Sequence, residues 1–249
     1  MPKISNITCV IIAKNAEETI SETLQSLQDF NEVILYLNNS DDETQKIADA
    51  FENVKVIQGE FLGFGPTKNR ACEYAHNDWI FSLDSDEVLL PDLLQELYKL
   101  KLSDSNTVFK IKRDNYFLGK KVHYSGWGKD YLVRLFNKTT HSFNDNMVHE
   151  FVALNAEAKV IQLENSFKHN AVLNLNEFLF KIASYSDLAS DNKRTCSFFL
   201  VFLKAKWAFL RTYFFQLGFL DGWRGFFIAF TNAYSKFFRY TKRYINCKK

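Results

Sequence analysis

Short apolar runs alternate with segments of helical spacing through the first 90 residues of this chain. Four such runs, at residues 8–13, 33–37, 54–57 and 79–83, contain almost no polar side chains. Continuous apolar runs of this length are typical of parallel strands that are buried on both faces. Strands that alternate with helices imply right-handed crossovers. The sequence therefore predicts an α/β fold with a mostly parallel central sheet, and 249 residues suffice for one large domain or two small ones.

Polar residues follow three of these predicted strands. They are Lys14 and Asn15 after the first strand, residues 38–42 after the second, and residues 84–86 after the fourth. The carboxyl ends of parallel strands lie on the same edge of a sheet, and ligands of open α/β sheets bind beyond that edge. We therefore expect these three segments to form one binding surface.

The segment Asp84-Ser-Asp86 has the composition of a metal site. Alternate side chains of an extended segment point to the same face, so the two carboxylates can act together. Carboxylate oxygens suit Mg²⁺ or Mn²⁺, which completes its coordination with substrate phosphates and water. An acidic loop after a strand is the alternative for an isolated triplet of this kind. The position of the Asp84-Ser-Asp86 segment among the other polar segments favours a metal-diphosphate site.

The pattern changes between residues 106 and 163. Short strand-like stretches at 108–112, 131–136 and 147–154 are joined by polar connections. They predict a mixed or antiparallel extension of the sheet. This extension would close over the site and carry groups that contact a second substrate, the acceptor.

The chain from residue 193 onward is basic and aromatic. It holds seven Lys and five Arg against a single acid, together with 18 Phe, Trp and Tyr. Its apolar runs are shorter than the roughly 20 residues of a membrane-spanning helix. Two or three helices lying at an anionic membrane surface fit this composition. Alternatively, the aromatic residues pack on the catalytic domain or on a second subunit. Single-stranded nucleic acid also binds such mixtures, but no other feature indicates it, and nucleic acid is not an expected partner.

Several ordered motifs resemble family 2 of the glycosyltransferases, whose members are inverting enzymes with a nucleotide-sugar-binding GT-A fold. The matching segments are residues 10–15, 38–42, 63–71 and 78–87. Further segments resemble the branch that builds the inner core of lipopolysaccharide or lipooligosaccharide. These are residues 113–119, 125–127, 134–136, 148–150 and 218–222, with Asp130.

The resemblance implies an activity and a location. The protein is expected to move a hexose, glucose from UDP-glucose, onto a heptose of the lipid A-core oligosaccharide, with Mn²⁺ or Mg²⁺ as cofactor. An N-terminus without an export signal agrees with a peripheral enzyme on the cytoplasmic face of the bacterial inner membrane. The alternatives are a glycosyltransferase with another donor or acceptor (O-antigen, capsule or protein) and a catalytically silent membrane-surface scaffold of the same fold.

The family pattern also implies the roles of donor-side residues. Asp86 is the expected direct metal ligand, and Asp84 is expected to approach the ribose or the metal. Leu37 stands where many relatives have an aspartate that contacts the base. Either Asn38 or Asp41 takes over that contact, or base recognition is looser, or the donor is not a UDP-sugar. The remaining donor-side residues are Ala13 and Asn15 at the nucleotide, and Lys68 and Arg70 at the diphosphate.

Inverting transfer needs a carboxylate that deprotonates the acceptor hydroxyl. The candidates are Glu150, which we favour slightly, and Asp130; each could instead be an ion-pair partner of Arg134. His149 and His169 are possible additional metal ligands. Trp127 could stack on a sugar or belong to the core.

By role, the chain divides into three predicted segments. Residues 1–105 form the nucleotide-sugar-binding half of the GT-A domain, and residues 106–192 form its acceptor-side half. Residues 193–249 form the helical, membrane-associating extension.

Overall fold

The computed structural model describes residues 3–147, 149–188 and 197–248. The chain forms two compact units. The first unit comprises Met1–Arg113 and Tyr131–His169, and the second comprises Asp114–Asp130 and Asn170–Lys249. The predicted division into three segments concerns function, so it remains a prediction. Its boundary at residues 192 and 193 lies outside the described residues.

The parallel part of the sheet in the first unit is built from four strands. These are β1 (Thr8–Ala13), β2 (Val33–Leu37), β3 (Val54–Gln58) and β4 (Trp79–Asp84), in the order β3-β2-β1-β4. Every residue of β1 and β2 is buried, which explains their unbroken apolar sequences. Ala13 is in register with Leu37, and Ile12 with Asp84, so the strands end at the same edge. The predicted parallel sheet is confirmed.

An antiparallel part continues the sheet beyond β4, in the order β4-β8-β6-β11-β5. Pairing is antiparallel between β4 and β8 and between β11 and β5. The strands that follow β4 are β5 (Glu87–Leu89), β6 (Thr107–Phe117), β7 (Lys120–Lys121), β8 (Asp130–Asn137), β9 (Ser142–Phe143), β10 (Val152–Ala153) and β11 (Lys159–Val172). The predicted antiparallel extension is therefore present. Only two residues of the stretch predicted at 147–154 are strand, and position 148 is outside the described residues.

Four helices cover the two faces of this sheet: α1 (Ile20–Gln25), α2 (Thr44–Ala48), α3 (Phe64–Glu73) and α4 (Pro91–Tyr98). Apolar side chains fill the space between helices and sheet, and Phe30 stacks on Phe81 there at 6.0 Å between ring centroids. The helix predicted from Thr67 begins three residues earlier. Gly63 directly precedes it with φ of 103°, a conformation that favours glycine.

The second unit is mainly helical, with α5 (Leu175–Leu188), α6 (Phe198–Leu210) and α7 (Trp223–Lys248). The helices predicted for the C-terminal region are confirmed over its described part. An aromatic core forms around Phe117, whose ring contacts Trp127, Phe178 and Phe227. Across the described ranges, no helix has the length and apolar character needed to span a membrane.

Candidate active site

The loops after β1 and β2 are tied together at the edge of the sheet. The backbone N–H of Asn38 donates to the carbonyl of Ala13 at 3.0 Å. The side-chain oxygen of Asn15 accepts the N–H of Asp41 at 3.0 Å, and the Asn15 N–H donates to Ser40 Oγ at 3.1 Å. Asn15 has a positive φ of 49°, which asparagine tolerates better than most residues. The structure thus brings Ala13, Asn15 and Asn38 together, as their strand-end positions predicted.

Glu87 fixes the turn that carries the two aspartates. Its side chain is fully buried, and its Oε2 accepts the backbone N–H of Asp84 at 3.0 Å. Its Oε1 accepts Nη2 of Arg134 at 2.5 Å and Nη1 of Arg113 at 3.3 Å. Burial raises the pKa of Glu87, while the charge of Arg134 opposes that shift. Sequence reasoning missed Glu87, although an acid directly between the predicted metal-binding triplet and an apolar run was a usable signal.

Asp84 lies between two cations. Its Oδ1 accepts Nζ of Lys68 at 2.7 Å, and its Oδ2 accepts Nη2 of Arg134 at 2.8 Å. Burial alone would raise the pKa of Asp84, but the charges of Arg134 and Lys68 hold it well below its usual range. Both oxygens of Asp84 therefore serve to organise the turn, and direct coordination of a metal would have to compete with these two ion pairs.

Lys68 connects this turn to the favoured catalytic base. Only 2% of the Lys68 side chain is exposed, and its Nζ donates to Glu150 Oε1 at 2.7 Å as well as to Asp84. Its ammonium group also lies 5.3 Å from the centroid of the Phe143 ring. A row of alternating charges results, from Glu87 through Arg134, Asp84 and Lys68 to Glu150. The ion-pair partner seen for Glu150 is Lys68, whereas the sequence had suggested Arg134.

Asp86 and His169 are the residues that fit a divalent cation. Oδ2 of Asp86 lies 3.5 Å from Nε2 of His169, and about a third of the Asp86 side chain is exposed. Within the described ranges, no group of three or more His, Cys, Asp or Glu side chains is arranged to bind a metal. A carboxylate and an imidazole suit Mn²⁺ when a diphosphate and water supply the other ligands. The residues present fit such a shared ion.

Two predicted residues make other contacts. Arg70 occupies the exposed side of α3, where it forms an ion pair with Glu73 and packs over the ring of Tyr74. Asp130 belongs to the second unit, and its Oδ2 accepts Nδ2 of Asn115 at 3.2 Å. Their roles at the diphosphate and as catalytic base remain predictions. His149 has a φ of 62° directly before Glu150, and its role as a metal ligand also remains a prediction.

Comparison with known proteins identifies the family of the chain. Residues 8–161 match the profile of Glycosyl transferase family 2. The chain belongs to this family. The predicted resemblance is confirmed, and so is the GT-A fold class, in which a parallel part of the sheet is followed by an antiparallel part.

Full-length relatives agree with this result. An uncharacterized glycosyltransferase of Rickettsia typhi is 28% identical over 255 residues, covering 96% of this chain and 87% of the relative. The lipopolysaccharide core biosynthesis glycosyltransferase LpsC of Rhizobium meliloti is 27% identical over 258 residues, covering 98% of this chain and 93% of LpsC. The crystal structure of S. aureus TarS 1-349 in complex with UDP has a TM-score of 0.47 and 15% identity, covering 75% of this chain and 66% of TarS. That structural similarity is too low for residue roles to be transferred.

Proposed function

We propose that this protein is a metal-dependent inverting glycosyltransferase that moves a hexose from a nucleotide-sugar, with UDP-glucose as the expected donor, onto a heptose of the lipopolysaccharide inner core. The observation that carries the proposal is the Asp84–Asp86 turn at the strand ends, held by Glu87 and paired through Lys68 with Glu150. The turn also leaves the Asp86 carboxylate about a third exposed at the strand ends, where ligands of open α/β sheets bind. We therefore favour the enzyme over the silent scaffold.

On the donor side, Asp86 and His169 would hold Mn²⁺ or Mg²⁺, which when bound would neutralise charge on the departing diphosphate. Asn15 and Asn38 form the surface on which the nucleoside would lie. Leu37 is fully buried as the last residue of β2, so it contributes to the core and leaves base recognition to neighbouring polar groups. The two ion pairs of Asp84 would hold it in place beside the ribose or the metal.

Glu150 is the proposed catalytic base. Lys68 donates to Oε1 of Glu150, and among the residues described no other side chain forms a hydrogen bond or ion pair with this carboxylate. Its Oε2 is thus able to accept the proton of an acceptor hydroxyl while Lys68 holds the carboxylate in place. Asp130, on the second unit, is the second candidate for this role.

The acceptor side of the proposal rests on the relative LpsC and on the C-terminal helices. LpsC is named for lipopolysaccharide core biosynthesis. Aromatic side chains of residues 197–248 remain exposed on both long helices and the turn between them, most of all Phe199, Trp207, Phe215, Trp223 and Phe230. Such side chains, interleaved with Lys and Arg, favour the surface of an anionic membrane. We therefore propose a peripheral enzyme on the cytoplasmic face of the inner membrane, with the lipid A-core oligosaccharide as acceptor.

The decisive experiment combines donor binding with turnover. Purified protein is screened with Mn²⁺ and a set of nucleotide-sugars by thermal shift, because a ligand that binds only the native state raises its apparent stability. UDP-glucose hydrolysis and transfer to heptose-containing core are then measured. Asp86→Ala should lose both the Mn²⁺-dependent shift and turnover. Asp92→Ala, which changes an exposed acid of α4, is the matched control and should keep both.

Each alternative function predicts a different result. A preference for another nucleotide-sugar or acceptor would identify a glycosyltransferase of O-antigen, capsule or protein. Wild-type protein that neither binds nor hydrolyses any nucleotide-sugar would refute the enzyme and favour the scaffold.

A further inference from the structure

Residues 193–249 contain twelve Lys and Arg residues and a single acid, Asp221. The carboxylate of Asp221 accepts hydrogen bonds from backbone N–H groups. Its Oδ1 accepts the N–H of His123 at 3.0 Å, and its Oδ2 accepts the N–H of Tyr124 at 2.9 Å. The hydroxyl of Ser125 also donates to Oδ2, at 3.4 Å. None of the described Lys and Arg side chains forms an ion pair with Asp221. This carboxylate therefore holds a loop of its own unit in place.

The loop that Asp221 holds has an unfavourable backbone conformation. Ser125 has a φ of 60° and Gly126 a φ of 82°. A non-glycine residue in this region is strained, so the surrounding structure must hold it. The Ser125 N–H donates to the carbonyl of Gln216 at 3.0 Å. A Cβ on Gly126 would lie 2.9 Å from the end of the Gln216 side chain.

The turn on the other side is fitted equally closely. A Cβ on Gly218 would lie 2.8 Å from the carbonyl oxygen of Thr212 and 2.9 Å from Ser125 Oγ. Gly218 and Asp221 form the ends of a single 3₁₀ turn that precedes α7. Glycine at position 218 and a carboxylate at position 221 are thus both needed for the loop at 123–126 to dock.

The docked loop leads directly into Trp127, whose ring packs with Phe117 and Phe178 in the aromatic core, and into Asp130. Nδ2 of Asn115 donates to the carbonyl of Trp127 at 3.0 Å and to Oδ2 of Asp130 at 3.2 Å, which fixes both residues at the end of the loop. Tyr124 remains exposed within it. Aromatic rings and a carboxylate are the groups that typically contact the faces and hydroxyls of a sugar.

We propose that Asp221 is a positioning residue for the acceptor sugar: its carboxylate shapes the loop at residues 123–130 so that the loop binds a sugar acceptor. The inference rests on the proposed glycosyltransferase activity and extends it. The region between α6 and α7 then contributes to acceptor binding as well as to contact with a membrane.

Asp221→Asn tests this proposal with little change in volume. One of the two carboxylate oxygens becomes an amide nitrogen, which must face the N–H of either His123 or Tyr124. Donor then opposes donor, and the loop loses its shape. Glu96→Gln is the matched control, since Glu96 accepts the N–H groups of Glu164 and Asn165 at 3.0 Å in the first unit.

Three quantities are measured for the wild type and both variants: the KM for a soluble heptose-containing core acceptor, hydrolysis of the donor without acceptor, and the Tm. Asp221→Asn is expected to raise the acceptor KM about tenfold while donor hydrolysis stays within about twofold. Glu96→Gln is expected to lower the Tm and to leave the acceptor KM unchanged. Asp221→Glu, which keeps two acceptor oxygens, should recover part of the lost affinity.

An unchanged acceptor KM in an active Asp221→Asn variant would overturn the inference alone. Parallel losses of acceptor affinity and donor hydrolysis would also overturn it, because they would indicate general structural damage. Wild-type protein that shows neither reaction would instead refute the proposed function, and the inference with it.

Discussion

Replacing Glu87 by Gln tests whether the row of buried charges organises the site. Both oxygens of Glu87 act only as acceptors: Oε2 accepts the Asp84 N–H, and Oε1 accepts Arg134 and Arg113. A glutamine offers one acceptor oxygen and one NH₂ group. In either orientation, the NH₂ group faces a donor. On one side the donor is the backbone N–H of Asp84, and on the other side the donors are the guanidinium groups of Arg134 and Arg113.

The size of the effect follows from burial. Glu87 is fully buried, so water cannot replace the lost acceptor. Removing one partner of a buried ion pair costs about 3–5 kcal/mol. Arg134 keeps its second partner, Asp84, at 2.8 Å, which places the expected loss near the lower end, at about 3 kcal/mol. For a chain of this length, each kcal/mol lowers the Tm by roughly 2–4 °C, so the expected decrease is about 6–12 °C.

The assay compares two Glu→Gln variants. Tm values are measured for the wild type, Glu87→Gln and Glu43→Gln. Glu43 is exposed and pairs only with Lys46 in the described structure, so its replacement should leave the Tm nearly unchanged. Mn²⁺-dependent binding of the donor is measured in parallel. It should weaken in Glu87→Gln, because the Asp84 N–H loses its acceptor and the turn that carries Asp86 is released.

Two results would refute this reasoning. A Tm for Glu87→Gln that matches the Glu43→Gln control would show that the amide is accommodated and that the charge is unimportant. A lowered Tm with unchanged donor binding would show that Glu87 stabilises the unit without shaping the metal-binding turn.

Three further predictions concern Lys68, Asp84 and the C-terminal aromatics. Lys68→Met should cost about 3 kcal/mol by leaving Glu150 without its cation and Asp84 with Arg134 alone, whereas Lys46→Met, at an exposed site, should not change the Tm measurably. Because the pKa of Asp84 is lowered, its stabilisation is complete above the normal pKa of about 3.8 and is lost as the pH falls through the lower native value. The Tm difference between wild type and Asp84→Asn should therefore stay constant from pH 7 to about pH 4 and narrow only below about pH 3.8; narrowing that begins near neutrality would contradict the ion pairs. Phe199→Ser with Phe215→Ser should reduce co-sedimentation with anionic liposomes, while Phe61→Ser, an exposed aromatic of the first unit, should not; equal loss would count against a membrane-binding tail.

Local patterns were sufficient to predict the parallel half of the fold. Strands β1 and β2 match the predicted residues, and β4 extends one residue further, because strands buried on both faces require unbroken apolar runs. The antiparallel half was predicted less well. Strand β11 is 14 residues long and was not predicted, because most of its side chains are exposed or half-buried and no alternation of apolar and polar residues marks it.

The ion-pair partners within the site could not be predicted from any local sequence pattern. Lys68 pairs with Asp84 and Glu150, which lie 16 and 82 residues away, and Arg134 reaches Asp84 across 50 residues. One signal for Lys68 was nevertheless present. It occupies the same helix face as Ala71 and Cys72, both of which are buried. A lysine at a core position of a helix must find buried anions, because its charge cannot be left unpaired away from water. Lys68 therefore indicated that a buried anion would lie beneath α3, and only the three-dimensional structure could identify Asp84 and Glu150.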